Sequence, residues 1–134
     1  MAFNSAVSPR GVSRLNILVV DDEVMVQQVC QGMLKALDHV SIGVSNAIDA
    51  VERLTERPQK FDLVILDNGL PGLSGIELYA ILREWNMPIP VILISGRIHQ
   101  PDSSELVNGT TGFQFLAKPF TIAELQTVID QSQA

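Results

Sequence analysis

Hydrophobic and polar positions along the chain alternate between two periods. Ile17-Leu18-Val19-Val20, Leu63-Val64-Ile65-Leu66 and Val91-Ile92-Leu93-Ile94 are unbroken apolar runs rich in β-branched residues. Such runs predict strands buried on both faces, as in a parallel sheet. Val40-Ser41-Ile42-Gly43-Val44 alternates with period two and predicts a half-exposed edge strand, and Phe115-Leu116-Ala117 supplies a fifth strand. Between these stretches the apolar residues take helical spacing. Val26, Val29, Cys30, Met33, Leu34 and Leu37 predict a first amphipathic helix. Ala47, Ala50, Val51 and Leu54 share the face of a second, capped by Asn46 and ended by Pro58. A third begins near Gly75 and buries Leu78, Ile81, Leu82 and Trp85, with Tyr79 on its surface; Met87-Pro88-Ile89-Pro90 ends it. The last carries Ile122, Leu125, Val128 and Ile129 behind a Thr121–Glu124 capping pair.

Strand followed by helix, repeated, predicts an α/β fold: a doubly wound five-stranded parallel sheet with helices on both faces. An exposed second strand at the edge leaves the first strand inside, and five strands then suit the order 2-1-3-4-5. The weak point is Ile98 to Gly112, where a fourth helix belongs. Leu106 and Val107 are its only apolar pair, between Pro101 and Gly109. Without a broad apolar stripe the expectation is a short or irregular fourth helix of about two turns at most, more mobile than the rest.

Composition narrows the class. With 134 residues, 46% of them hydrophobic, the chain forms one domain over 15–132 behind a flexible leader, 1–14. That leader lacks a continuous apolar stretch, so it is not read as a secretory signal, and no run is long enough for a membrane span. A formal charge of -6 argues against direct, sequence-independent binding of nucleic acid or anionic lipid. Cys30 is the single cysteine, which excludes an internal disulfide and points to a cytoplasmic protein; its place in the first helix's apolar stripe predicts an inert core thiol. His39 and His99 receive no chemical role.

The chemistry lies where the strands stop. They end in Asp21-Asp22-Glu23, Asp67-Asn68-Gly69, Ser95-Gly96 and Lys118-Pro119. In an open parallel sheet the carboxyl ends of the strands are where ligands bind. Acids, a hydroxyl and a lysine would therefore share one edge. Asp21, Asp22 and Asp67 repel one another, and an oxygen-only ligand set without His or Cys suits Mg²⁺. A magnesium ion beside a carboxylate, a lysine and a hydroxyl makes a site for a dianionic phosphoryl group. Asp67, at the tight turn, is the best-placed nucleophile. Gly69, Gly72 and Gly96 allow backbone groups to approach metal and phosphoryl closely.

Asp21-Asp22 after a hydrophobic strand, Asp67 with Pro71 four residues on and Gly75 four beyond, Ser95 closing a strand, and Lys118-Pro119-Phe120 together resemble the receiver domain of two-component and phosphorelay response regulators. Gly109-Thr110-Thr111-Gly112 before Phe113-Gln114-Phe115 departs from the family's usual pattern and is closer to receivers attached to hybrid sensor kinases. The order 2-1-3-4-5 is this family's own flavodoxin-like order, so the strand pattern did not derive it independently. The resemblance implies a phosphoacceptor signalling module that catalyses only its own phosphorylation and dephosphorylation. Its donor would be a phosphohistidine on a histidine kinase or histidine phosphotransfer protein, and its target an unknown downstream protein. It further implies that Asp22, Asp67 and the Gly69 carbonyl bind Mg²⁺, with Asp21 acting through water. Lys118 would pair with the phosphoryl oxygens, Ser95 would hydrogen-bond one of them, and the backbones of Asn68 and Gly96 would contact the group. A cis Lys118-Pro119 bond is implied, as is a switch of Ser95 and Phe115. Lacking a hydroxyl, Phe115 must switch by packing alone. Arg97 either borders the phosphoryl group or faces solvent.

Two alternatives belong to other classes. A pseudo-receiver would bind partners without phosphorylation, but neither an acid nor the lysine is missing. A phosphohydrolase with an Asp nucleophile, like the haloacid-dehalogenase phosphatases, places a second acid two residues after the nucleophile, and here that residue is Gly69. With the last helix ending near residue 132, the expectation is a stand-alone receiver or a piece of a larger protein.

Overall fold

The computed structural model describes residues 14–56, 60–96 and 113–133. Its elements follow in the order β1 (Asn16–Val20), α1 (Val24–Ala36), β2 (Val40–Val44), α2 (Ala47–Glu56), β3 (Leu63–Asp67), α3 (Gly75–Glu84), β4 (Val91–Ser95), β5 (Phe113–Ala117) and α4 (Ile122–Ser132). All strand pairs are parallel, and the sheet order is β2-β1-β3-β4-β5. The leader up to residue 13, Pro58, Arg97, His99 and the segment expected to form a short fourth helix lie outside the described residues.

The pleat sorts alternate strand residues into two apolar layers. Leu18, Val20, Val64, Leu66, Val91 and Leu93 face α2 and α3, joined by Ala50, Leu54, Leu78 and Leu82. Ile17, Val19, Leu63, Ile65, Ile92 and Ile94 face α1 and α4, joined by Cys30, Leu34, Leu125 and Ile129. Burial on both sides explains the unbroken runs of β1, β3 and β4, whereas β2 at the edge is mostly half-buried, with Val40 exposed and only Val44 buried. Phe113, which extends β5 two residues beyond the expected start, is fully buried.

Four residues lie on faces other than those expected. Tyr79 is buried, with its ring centroid 4.4 Å from that of Phe113, whereas Trp85 is 49% exposed. The reason is helix length: α3 stops at Glu84, Trp85 becomes its C-cap, and Asn86 at φ 56 turns the chain back. Tyr79 keeps its hydroxyl satisfied by accepting a 3.0 Å hydrogen bond from Arg83 Nε. In α1 the buried positions are Gln27, Cys30 and Leu34, so Val29 stands outside the core, 58% exposed. Ile122, first in α4, is also exposed. His39 is buried, and its Nδ1 accepts the Leu15 N–H at 3.1 Å, a structural bond at the start of β1.

Candidate functional site

The four strand ends singled out in the sequence lie on adjacent strands of one sheet edge. Asp67 is the last residue of β3, and register pairs it with Ile94, one residue before Ser95. Asn68 N–H donates to the Ile94 carbonyl at 2.8 Å, which extends the pairing past the acid. Ser95 ends β4, is buried, and accepts the Lys118 N–H on its carbonyl at 2.9 Å. Lys118 leaves β5 and is followed by a cis bond to Pro119. Asp21 and Asp22 follow β1; Asp21 is buried and Asp22 exposed. Gly75 opens α3 against this edge, where a Cβ would stand 2.5 Å from Leu93 Cδ1 and 3.0 Å from the Asp67 carbonyl, so only glycine allows the approach.

Side chains converge there. Lys118 Nζ lies 3.1 Å from Asp67 Oδ1 and 3.6 Å from Asp21 Oδ2. Asp21, Asp22 and Asp67 each offer a carboxylate oxygen within 4.8 Å of the others. Gly69 sits beside them; a Cβ there would be 3.5 Å from Asp67 Oδ2. Burial pushes the Asp21 carboxyl above its usual range, and the Asp67 charge adds to this; the Glu23 N–H, donated to Asp21 Oδ1 at 2.9 Å, and the Lys118 charge act the other way. For Lys118, burial works against the ammonium, but the hydrogen bond to Asp67 and the charges of Asp67, Asp21 and Glu23 outweigh it and raise its pKa. Cys30 lies behind this edge, its thiol pushed up to about 12, first by burial and then by the Asp21 charge. That thiol is inert.

Three carboxylates against one ammonium leave an excess of negative charge at one edge of the sheet. The donors are all oxygens and one of the acids faces solvent, so the arrangement fits a hard divalent cation that keeps part of its water shell. Neutralised in that way, the edge can receive a phosphoryl group with Asp67 as nucleophile and Lys118 as counter-charge.

Some parts of the site were not apparent in the sequence. Ser74 and Glu77 form a reciprocal capping box at the start of α3, the same S/T-x-x-E pattern that Thr121 and Glu124 carry. Gln27 is buried in α1 and reaches the ends of β1 and β2. Met25 and Val29 stay exposed on α1 and, with Met33 and Phe120, line an apolar groove of about 520 Å³ that reaches Lys118. Phe115 is half-buried, edge-on to Phe113 with centroids 5.8 Å apart.

Residues 17–130 match the family model of the response regulator receiver domain. The chain is 34% identical over 113 residues to the KDP operon transcriptional regulatory protein KdpE of Escherichia coli, covering 83% of this chain and 48% of that protein. It is 32% identical over 113 residues to the two-component response regulator PhoP of Pseudomonas aeruginosa, covering 84% of this chain and 48% of that protein. It therefore spans about half the length of both relatives. Among solved structures, a response regulator receiver domain protein from Clostridium thermocellum superposes with a TM-score of 0.78 at 26% identity, over 88% of this chain and 93% of that one.

Proposed function

The chain belongs to the response regulator receiver domain family, and from that premise we propose that Asp67 accepts a phosphoryl group from a phosphohistidine on a histidine kinase or histidine phosphotransfer protein. The observation that carries this reading is the 3.1 Å pair of Lys118 Nζ and Asp67 Oδ1 at the buried end of β3. In the reaction a carboxylate oxygen of Asp67 attacks phosphorus, the donor's N–P bond breaks, and its electron pair returns to the imidazole nitrogen. An acyl phosphate then stands on Asp67. Lys118 moves its ammonium from the carboxylate to a phosphoryl oxygen and so follows the charge it was neutralising. Ser95 donates its hydroxyl to a second oxygen, while the backbones of Asn68 and Gly96 border the group.

Asp22, Asp67 and the Gly69 carbonyl would hold Mg²⁺, with Asp21 acting through water; the ion neutralises charge on the equatorial oxygens when bound. The donor approaches over the apolar face of α1, where Met25 and Val29 lie exposed along a groove continuous with Lys118. Output follows from Ser95 moving towards the phosphoryl group and Phe115 turning in behind it by packing, which reshapes the β5 face for a downstream protein. The receiver domain occupies residues 15–132 and works in the cytoplasm as a switch, not a turnover enzyme.

Incubation with Mg²⁺ and a small acyl phosphate donor tests this. A protein adduct of one phosphoryl group, absent when EDTA replaces Mg²⁺, is the expected result. Steady phosphate release without an adduct would instead indicate a phosphohydrolase, and neither product a pseudo-receiver.

A further inference from the structure

Gln27 is a polar side chain buried in the core-facing stripe of α1, 8% exposed. Its amide nitrogen donates to the Asp21 carbonyl at 3.1 Å and to the Val44 carbonyl at 2.8 Å, so both its hydrogens are used. Val44 O also accepts the Asp21 N–H at 3.1 Å. One side chain thus ties the backbone just past β1 to the end of β2, immediately before Asp22. Opposite it, in β2, stands Gly43. A Cβ at that position would run into Oε1, Cδ and Cγ of Gln27. Gly43 has no positive φ that would call for glycine, and glycine weakens a strand interior. What its missing side chain supplies is room for the amide.

We infer that Gln27 and Gly43 form a positioning pair for the metal-binding acids: Gln27 fixes the Asp21–Asp22 peptide, and Gly43 admits the amide that does so. The inference rests on the reading of Asp21 and Asp22 as magnesium-binding residues. Neither Gln27 nor Gly43 belongs to the acid cluster; they act through the backbone that carries it. Losing such an outer partner typically weakens metal binding about 10-fold or more.

Two substitutions separate positioning from general stability. Gly43→Ala pushes the amide out of its place and should lower both stability and Mg²⁺ affinity. Gln27→Ala should do the same by leaving the Asp21 carbonyl without its donor. In the double variant, the methyl group added at position 43 fills the space the amide vacated, and alanine is the better strand residue, so stability should return towards wild type. Mg²⁺ affinity should not return, and should stay about 10-fold weaker, because the Asp21–Asp22 peptide is still untied. Calorimetric titration with Mg²⁺ and urea denaturation in EDTA give the two readouts. A double variant that binds Mg²⁺ as tightly as wild type would overturn the inference, as would Gly43→Ala having no effect on affinity. Wild-type protein that binds no Mg²⁺ would overturn the proposed metal site itself, and the positioning role with it.

Discussion

Helices α1 and α3 both start at the carboxyl edge of the sheet, yet they start differently. Ser74 Oγ accepts the Glu77 N–H at 3.2 Å and the Glu77 carboxylate accepts the Ser74 N–H at 2.8 Å; α4 repeats the device with Thr121 and Glu124. Glu23, at the N-cap of α1, makes no side-chain cap bond, and Val24 and Met25 behind it are exposed apolar residues. The polar groups there have other partners. Asp21 Oδ1 holds the Glu23 N–H, Asp21 Oδ2 faces Lys118, and Gln27 spans two strand ends. Where the residues that open a helix are not tied to the acid cluster, its start is locally optimised. Where it borders the acids, that optimum is given up, as expected at a site whose residues answer to chemistry.

The largest break in this comparison should come from Lys118→Met. It leaves buried Asp21 and Asp67 without their cation, and removing one partner of a buried pair costs roughly 3 kcal/mol. Lys118 keeps 21% of its side chain exposed, so about 2 kcal/mol is the sounder expectation, read by urea denaturation in EDTA. Mg²⁺ should recover part of the loss, and a variant as stable as wild type in EDTA would deny that the acids strain the fold.

Asp21→Asn should act in the opposite direction. A carboxyl with a raised folded pKa favours folding only while protonated, so its contribution is present below the ordinary value of 3.8 and is lost as pH rises through the folded value. At neutral pH the charged Asp21 therefore costs stability, and asparagine should gain on the order of 1 kcal/mol in metal-free protein. The gain should shrink as pH falls through the raised folded value and vanish below the ordinary 3.8. A constant difference across that range would remove titration as its cause.

The smallest pair sharpens the contrast between helix starts. Ser74→Ala should cost about 1 kcal/mol with or without Mg²⁺. Glu23→Ser should gain about 0.5 kcal/mol over Glu23→Gln, the control that removes charge without adding a cap. Equal stability of the two Glu23 variants would mean that the start of α1 has no cap to gain.

Much of this was legible because buried parallel strands announce themselves as apolar runs, and each of these runs stops at a polar residue of the candidate site. Asp21, Asp67, Ser95 and Lys118 were found as the polar residues that follow such runs. Helix faces were harder, because period alone does not say where a helix ends. Trp85 fits the stripe of α3 by spacing but falls one residue past Glu84, while Tyr79 is buried because Phe113 of β5 meets it and Arg83 satisfies its hydroxyl. In α1 the apolar arc is wider than the sheet can cover, so spacing could not tell exposed Val29 from buried Cys30. Gln27 has its partners six and seventeen residues away, and the one local trace was a glycine inside a strand.

Trapping the acyl phosphate decides whether Asp67 carries the phosphoryl group. Protein treated with Mg²⁺ and a small acyl phosphate donor is reduced with borohydride, which converts an aspartyl phosphate to homoserine, and the modified residue is mapped by peptide mass spectrometry. Homoserine is expected at position 67 in wild type, with no conversion in Asp67→Asn, whose near-isosteric side chain keeps the fold and lacks the nucleophile. Homoserine at position 21 or 22, or an adduct that persists in Asp67→Asn, would contradict this role of Asp67.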